Sequence, residues 1–585
     1  MARNVAEQLV DALEKQGVSR VFGLVGDSLN PIVDAIRQSS IEWVHCYNEE
    51  SAAFAAGAHS LITGELSVCA GSCGPGNTHM IQGLYDAHRN GGKVLALASQ
   101  IPSKEIGSGF FQETHPEKLF EECSGYCELV NSAAQAGRCI HAAIQSTLAG
   151  HGVSVVSFPG DISMQEAVET PSLEGNFSVQ NGEVHPSRKQ LRDLADAINK
   201  ADKVTMFGGI GCAGARDELF AVAEKIKSPV GHSYAGKEVL HYDNPYDVGM
   251  SGLLGYGACT AAFDNADLLI LVGTDFPYTD FLPTTPTAQI DINGAHIGRR
   301  THVEYPVVGD VKSTMAELLP LLKEKTDRSF LDSMLKKQQR NLKHVISAYT
   351  KNVSKHTPIH PEFLAYNLDD LADDDAIFTA DTGMCNVWHA RYIMAGPNRR
   401  LLASYRHGTM ANALPQAIGA QAADRKRQVI SMSGDGGLSM LMGELLTVKL
   451  HQLPIKMVVF NNSTLGMVKL EMMVQGIPDF GTDHAKFNYA DIARAVGIKS
   501  YRVEDPKDVR STLQEALAHS GPVLIDVQTD PNALSIPPDI SLEQVSGFTK
   551  AAVRTVLDGG VGKMINIANS NLRNIPRPSG FKGIG

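Results

Sequence analysis

Eight short runs of continuously apolar or β-branched residues, at 93–98, 153–158, 204–207, 268–272, 376–379, 429–432, 455–460 and 523–527, alternate with longer helical stretches. A strand that is apolar at nearly every position needs cover on both faces, which a parallel sheet sandwiched between helices supplies. The expected fold class is α/β. At roughly 100–200 residues per domain, the 585 residues accommodate three doubly wound parallel-sheet domains. Residues 166–188 shift to Glu, Ser, Asn, Gly and Pro, and residues 323–360 run from a charged helix into two X-Pro pairs. Both read as linkers, dividing the chain at 1–180, 186–345 and 356–532 with a tail at 533–585.

Composition narrows the function. Hydrophobic residues at 43% and charged residues at 20% are ordinary for a globular protein, which excludes disordered and fibrous classes. The net charge of −12 disfavours nonspecific nucleic-acid binding and points to a small-molecule partner. Nine cysteines are sparse, and neither Cys69/Cys73 nor Cys123/Cys127 has the two-residue spacer of common zinc and redox pairs. They are expected to be reduced thiols of a cytoplasmic protein. There is no apolar run of about 18 residues, and Glu7 and Asp11 interrupt the N-terminus, so neither a membrane span nor an export signal is expected.

The sharpest chemical signal is Gly434-Asp435-Gly436, which closes one apolar run and is followed after 24 residues by Asn461-Asn462 at the end of the next. Ligands of open α/β sheets sit at the carboxyl ends of strands, so the two elements are expected to face one crevice. Mg2+ takes oxygen ligands, usually one or two carboxylates plus phosphate oxygens. Asp435 offers the carboxylate, Asn462 an amide oxygen, and the glycines close backbone approach to a diphosphate. Either half alone is also ordinary turn chemistry.

Together the halves resemble the thiamine diphosphate motif. That cofactor needs a carboxyl group hydrogen-bonded to its aminopyrimidine ring, and Asn48-Glu49-Glu50-Ser51 offers one, although the segment also reads simply as a capped helix N-terminus. With Gly26-Asp27-Ser28, Gly74-Pro75-Gly76-Asn77 and Phe111-Gln112-Glu113, the N-terminal third resembles the pyrimidine-binding domain of the pyruvate oxidase and acetolactate synthase family. The likeness extends over nearly the whole chain. Residues 72–77, 111–116 and 407–413 bring it nearest to the quinone-linked, pyruvate-oxidising members.

Carried over residue by residue, the resemblance implies that Glu49 is the catalytic glutamate. Phe111 and Gln112 would border the reacting carbon, and Val468 and Glu471 would face the substrate. Gly26, Asn77, Gly383, Met384, Cys385, His407, Gly434, Asp435 and Gly436 would surround the cofactor, with Met410 as its apolar prop. Asp435, Asn462 and Thr464 make the metal set. Asn48 departs from the family, where His is frequent.

The middle domain has Gly209-Ile210-Gly211-Cys212-Ala213-Gly214 after an apolar run, but the next strand ends without the acid that a nicotinamide site requires. The resemblance implies FAD instead, held by Gly209, Gly211, Lys237, Gly252, Thr274, Asp291 and Asp310.

The activity so implied is oxidative decarboxylation of pyruvate to acetate and CO2, with electrons passing through FAD to a membrane quinone. Phosphate-dependent pyruvate oxidase, acetolactate synthase and a noncatalytic paralogue are the alternatives. A homo-oligomer, taken as a tetramer, is implied because sites are shared between chains. In the tail, Val561, Met564, Ile565, Ala568, Leu572 and Ile575 form an apolar arc at helical spacing, with Lys563, Asn566, Ser570 and Arg573 outside it. The last 25 residues carry four basic side chains and no acid, which suits an anionic lipid surface at the inner face of the cell membrane.

Overall fold

The computed structural model describes residues 3–173, 177, 182–534, 561–571 and 573. In the N-terminal third, β1 (Arg20–Gly23), β2 (Glu42–His45), β3 (Ser67–Gly71), β4 (Val94–Gln100), β5 (Tyr126–Leu129) and β6 (Ser154–Pro159) form a wholly parallel sheet in the order β2-β1-β3-β4-β6-β5. The middle sheet contains β7 (Val204–Gly208), β8 (Val230–His232), β9 (Asp247–Met250), β10 (Tyr256–Gly257), β11 (Leu268–Val272), β12 (Thr287–Asp291) and β13 (Tyr305–Val308), in the order β10-β9-β8-β7-β11-β12-β13. The third sheet comprises β14 (Ile377–Ala380), β15 (Arg400–Ala403), β16 (Val429–Gly434), β17 (Lys456–Asn461), β18 (Lys499–Val503) and β19 (Val523–Gln528). Its order, β15-β14-β16-β17-β19-β18, repeats that of the first.

All eight apolar runs are strands, and in β4, β7, β11 and β14 every residue is buried. Strands such as β2 and β5 escaped the apolar pattern because they lie at sheet edges, where most of their side chains are only partly covered. One departure from the parallel-sheet expectation is β10, a two-residue edge strand antiparallel to β9.

The outer domains meet along small residues. The helix Glu49–Thr63 crosses the helix Ala413–Ala423 so closely that a Cβ on Gly419 would lie 2.0 Å from the Ala55 carbonyl oxygen. Ala52, Ala55 and Ala56 share a buried cluster with Leu414, Ala417 and Ala420. At the closest point of the crossing only glycine fits.

Two polar stretches behave differently from free linkers. Residues 166–168 begin by folding back on the N-terminus, with Ala167 N donating to Arg3 O at 2.9 Å. In the second stretch the helix Ser329–Asn341 leads to Tyr349, which is buried and stacks on His360 at 3.9 Å between ring centroids. This pair forms part of the floor under the tail helix Val561–Asn571.

The tail helix docks on the body through a largely polar face. Its buried residues are Ile567, Ser570 and Asn571, while Ile565 and Ala568 of the expected apolar arc face outward. Ile567 packs against Met473 and Leu534, Ser570 Oγ donates to Asp530 at 2.6 Å, and Asn571 bonds Asn532 O and Leu534 N. Polar bonds therefore turn toward the body a face that hydrophobicity assigns to solvent. Leu572 and Ile575 lie outside the described residues, as do the side chains of Val561, Lys563 and Met564. Among the described residues, no helix is long and apolar enough to cross a membrane.

Candidate active site

In the third sheet the strand order reverses between β14 and β16, which opens a crevice at their carboxyl ends. After β14, Asp381 is buried and its Oδ1 accepts Ala413 N at 3.0 Å. Burial lifts this carboxyl to about 7 despite the backbone N–H groups and the Ser433 hydroxyl that bond it. Gly383 has φ +131°, and space lies open where a side chain would start. It introduces the helix Met384–Tyr392. After β16, whose Gly434 pairs with Phe460, Asp435 is buried; desolvation raises its carboxyl to about 6 against the pull of His484 and of the Gly436 and Ser463 N–H groups. The two halves of the motif do share this crevice. Asn462 Oδ1 accepts Thr464 N at 3.1 Å, and the Thr464 hydroxyl donates to Thr482 O at 3.2 Å.

One pocket gathers Gly383, Met384, Cys385, Met410, Gly434, Asp435, Gly436, Asn462, Thr464 and Val468. Glu49, Phe111, Gln112, Gly26, Asn77, His407 and Glu471 do not line it.

Most of those belong to the equivalent reversal of the first sheet, between β1 and β3. Gly26 follows β1, and a Cβ there would lie 2.5 Å from the Ser72 Cβ. Asn77 is fully buried, donating to Ser99 O at 2.8 Å, with its Oδ1 unpartnered. Gln112 adopts φ +63° and packs over Gly74, accepting a weak bond from the Cys73 thiol at 3.5 Å. Beside it Phe111 is 78% exposed. Glu49 begins its helix under the Asn48 cap and is only 4% exposed. Its surroundings are not wholly apolar, since Oε2 lies 3.0 Å from His79 Nδ1. His407 sits instead at the joint between domains, stacked on Tyr85 and 3.3 Å from Gln82 Oε1.

Family models for thiamine pyrophosphate enzymes match in sequence order: the N-terminal TPP binding domain at residues 3–119, the central domain at 191–318 and the C-terminal TPP binding domain at 381–527. YdaP of Bacillus subtilis (strain 168), a thiamine pyrophosphate-containing protein by its name, is 33% identical over 97% of this chain and 99% of its own. The chain belongs to the thiamine pyrophosphate enzyme family. Pyruvate oxidase of Lactiplantibacillus plantarum is 29% identical over 88% of this chain and 87% of its own length. The acetolactate synthase large subunit of Porphyra purpurea is 28% identical over 93% and 95%.

The crevice of this thiamine pyrophosphate enzyme fits its cofactor. The Thr382 hydroxyl and Asp381 Oδ2 are buried without partners, and the N-terminus of the Met384 helix opens beside the uncrowded Gly383. Among the described residues no group of three or more His, Cys, Asp or Glu forms a metal cage. A magnesium ion carried by a diphosphate needs none, because phosphate oxygens and water fill its shell around one carboxylate and one amide.

The middle sheet of the enzyme reverses between β7 and β11. Here Gly209 and Gly211 press against Gly273, where any Cβ would come within 2.8 Å of its carbonyl oxygen. Thr274 is buried beside them, and Gly252 has φ +98° facing Phe276 and Tyr278. Asp291 accepts Asn293 N, and Asp310 caps the helix Val311–Leu318 through Ser313 N. Lys237 differs from the rest: its buried ammonium donates to Ala390 O and Ile393 O across the domain boundary, and burial lowers it to about 7.

Sequence reasoning passed over Asp381, Thr382 and His484. The first two carried a usable signal, an Asp-Thr-Gly directly after an apolar strand. His484 carried none, because it lies in an irregular segment 22 positions beyond Asn462.

Proposed function

We propose that the enzyme oxidatively decarboxylates pyruvate to acetate and CO2, with electrons leaving through FAD to a membrane quinone. The observation that supports this most is the coexistence of the crevice built around Asp435 and Asn462 with a second strand reversal, in the middle sheet, bordered by Gly209, Gly211 and Thr274. A relative named pyruvate oxidase, matched over 87% of its length, supports pyruvate as substrate. Pyruvate and water become acetate and CO2 with release of two protons and two electrons. Thiamine diphosphate supplies the nucleophilic carbon, Mg2+ neutralises its diphosphate, and FAD accepts the electrons.

In this reading residues 1–180 bind the pyrimidine, 186–345 FAD and 356–532 the diphosphate. Asp435, Asn462 and Thr464 would hold the metal, Gly383, Met384 and Cys385 would offer helix N–H groups to the phosphates, and Met410 would support the cofactor. Glu49 would hydrogen-bond the aminopyrimidine through its carboxyl group. Gln112 and Phe111 close the reacting space with Val468 and Glu471. That Glu49 and Phe111 do not line the Asp435 pocket of their own chain supports sites completed by a second copy, in a dimer or tetramer. The outward Ile565 and Ala568, with the basic tail, support contact with an anionic lipid surface at the inner membrane face.

The Porphyra relative favours a second reading, in which two keto acids condense. CO2 release from pyruvate, measured with a dye, with oxygen plus phosphate, or with a second keto acid, separates the readings. Turnover is expected with the dye and a quinone. Acetolactate as the main product would overturn the proposal. In the same assay Asp435→Ala is expected to lose Mg2+-dependent cofactor binding.

A further inference from the structure

Residues 482–484 are tied to the loop after β17. Leu465 N donates to Thr482 O and His484 N to Ser463 O, both at 2.8 Å, while Thr464 and Asp483 form an antiparallel bridge. Ser463 adopts φ +55° to make this turn. The result is to hang the His484 imidazole over the Gly-Asp-Gly turn, where a Cβ on Gly436 would lie 3.1 Å from Nε2. That nitrogen is shielded from solvent yet has no hydrogen-bond partner. A buried polar atom left unpaired is costly unless a ligand completes it.

We infer that His484 is a further binding residue of the diphosphate site, its Nε2–H donating to a diphosphate oxygen. The inference rests on the reading of the Asp435 crevice as the diphosphate site. A diphosphate is the fitting acceptor because the groups beside this nitrogen at Gly436, the ends of the Leu465 and Met410 side chains, offer no oxygen acceptor. Direct metal ligation is disfavoured, since Mg2+ prefers oxygen to imidazole nitrogen. His484 is a positioning and binding group; the reaction's proton traffic needs nothing from it.

His484 stands behind Gly436 and does not itself line the Asp435 pocket, whereas Trp388 does; with only two tryptophans in the chain, intrinsic fluorescence serves as the probe of occupancy. Titration of the full-length protein with thiamine diphosphate at saturating Mg2+, and competition by inorganic pyrophosphate, test the inference without reference to turnover. His484→Ala is expected to raise Kd at least tenfold for both ligands, and His484→Gln, whose amide still donates, to stay within about threefold of wild type. A Kd for His484→Ala within twofold of wild type, alongside lost binding in Asp435→Ala, would overturn the role of His484 while leaving the site intact. Equal losses in the Ala and Gln variants would overturn it in favour of packing. Unchanged binding in Asp435→Ala would instead remove the site reading itself.

Discussion

Two buried carboxyls on neighbouring helices of the N-terminal domain have different work to do. Glu49 lies against a half-exposed histidine, whereas Asp86 is enclosed by Ser404, Gln416 and Asn90, all of which donate to it across or along the domain joint. Replacing Glu49 by Gln removes the exchangeable proton but keeps the shape. The expected result is normal cofactor binding with pyruvate decarboxylation reduced by about 10²–10⁴-fold in a CO2-release assay. Asp86 affects stability. Burial raises its carboxyl from 3.8 to about 7 in the folded chain. Below pH 4 both folded and unfolded chains hold the proton. Between pH 4 and 7 the unfolded chain ionises first, so stability falls as pH rises and the contribution is gone above the folded value. The thermal midpoint of wild type is expected to drop relative to Asp86→Asn over that window; parallel profiles for the two proteins would refute the assignment.

At the scale of elements, the helix crossing at Gly419 has no slack. Gly419→Val places atoms on the Ala55 carbonyl, and because backbone cannot move aside cheaply the expected loss is at least about 2 kcal/mol, read from the urea midpoint. The tail helix is held by different forces. Asn571→Ala would strip partners from Leu534 N and Asn532 O, and each unpaired buried group costs about 1–3 kcal/mol. The helix is expected to undock, so that limited proteolysis cuts the variant near residue 560 much faster than wild type. The sequence disclosed this helix and its apolar arc, but not the face by which it docks on the body. A count of apolar residues ignores Ser570 and Asn571, whose bonds to Asp530 and Asn532 exist only because β19 delivers those residues beneath them.

For the whole molecule, the proposal of sites completed by a second copy makes a strong prediction. Chains carrying Glu49→Gln and chains carrying Asp435→Ala are each expected to be inactive. Dissociated and reassociated together, they should recover up to about one quarter of wild-type activity, since random mixing makes half of the dimers hybrids with one intact site in two. Deleting residues 561–585 is expected to abolish co-sedimentation with anionic liposomes at low salt while sparing basal dye-linked turnover.

The α/β class, the pairing of Asp435 and Asn462 in one crevice, and the strands that bear them could be read in one dimension, because each depends on local pattern: continuous apolarity, a turn and its spacing. What only the tertiary structure decided involves residues distant in sequence. Lys237 carries a local motif, yet its ammonium ends in the carbonyls of a helix more than 150 residues away. His407 leaves its motif's pocket to stack on Tyr85. His484 had no motif at all and reaches Gly436 through a two-residue bridge. Local pattern specifies which backbone a segment prefers, but the partner of a buried polar atom is set by whichever segment the packed domains bring alongside it.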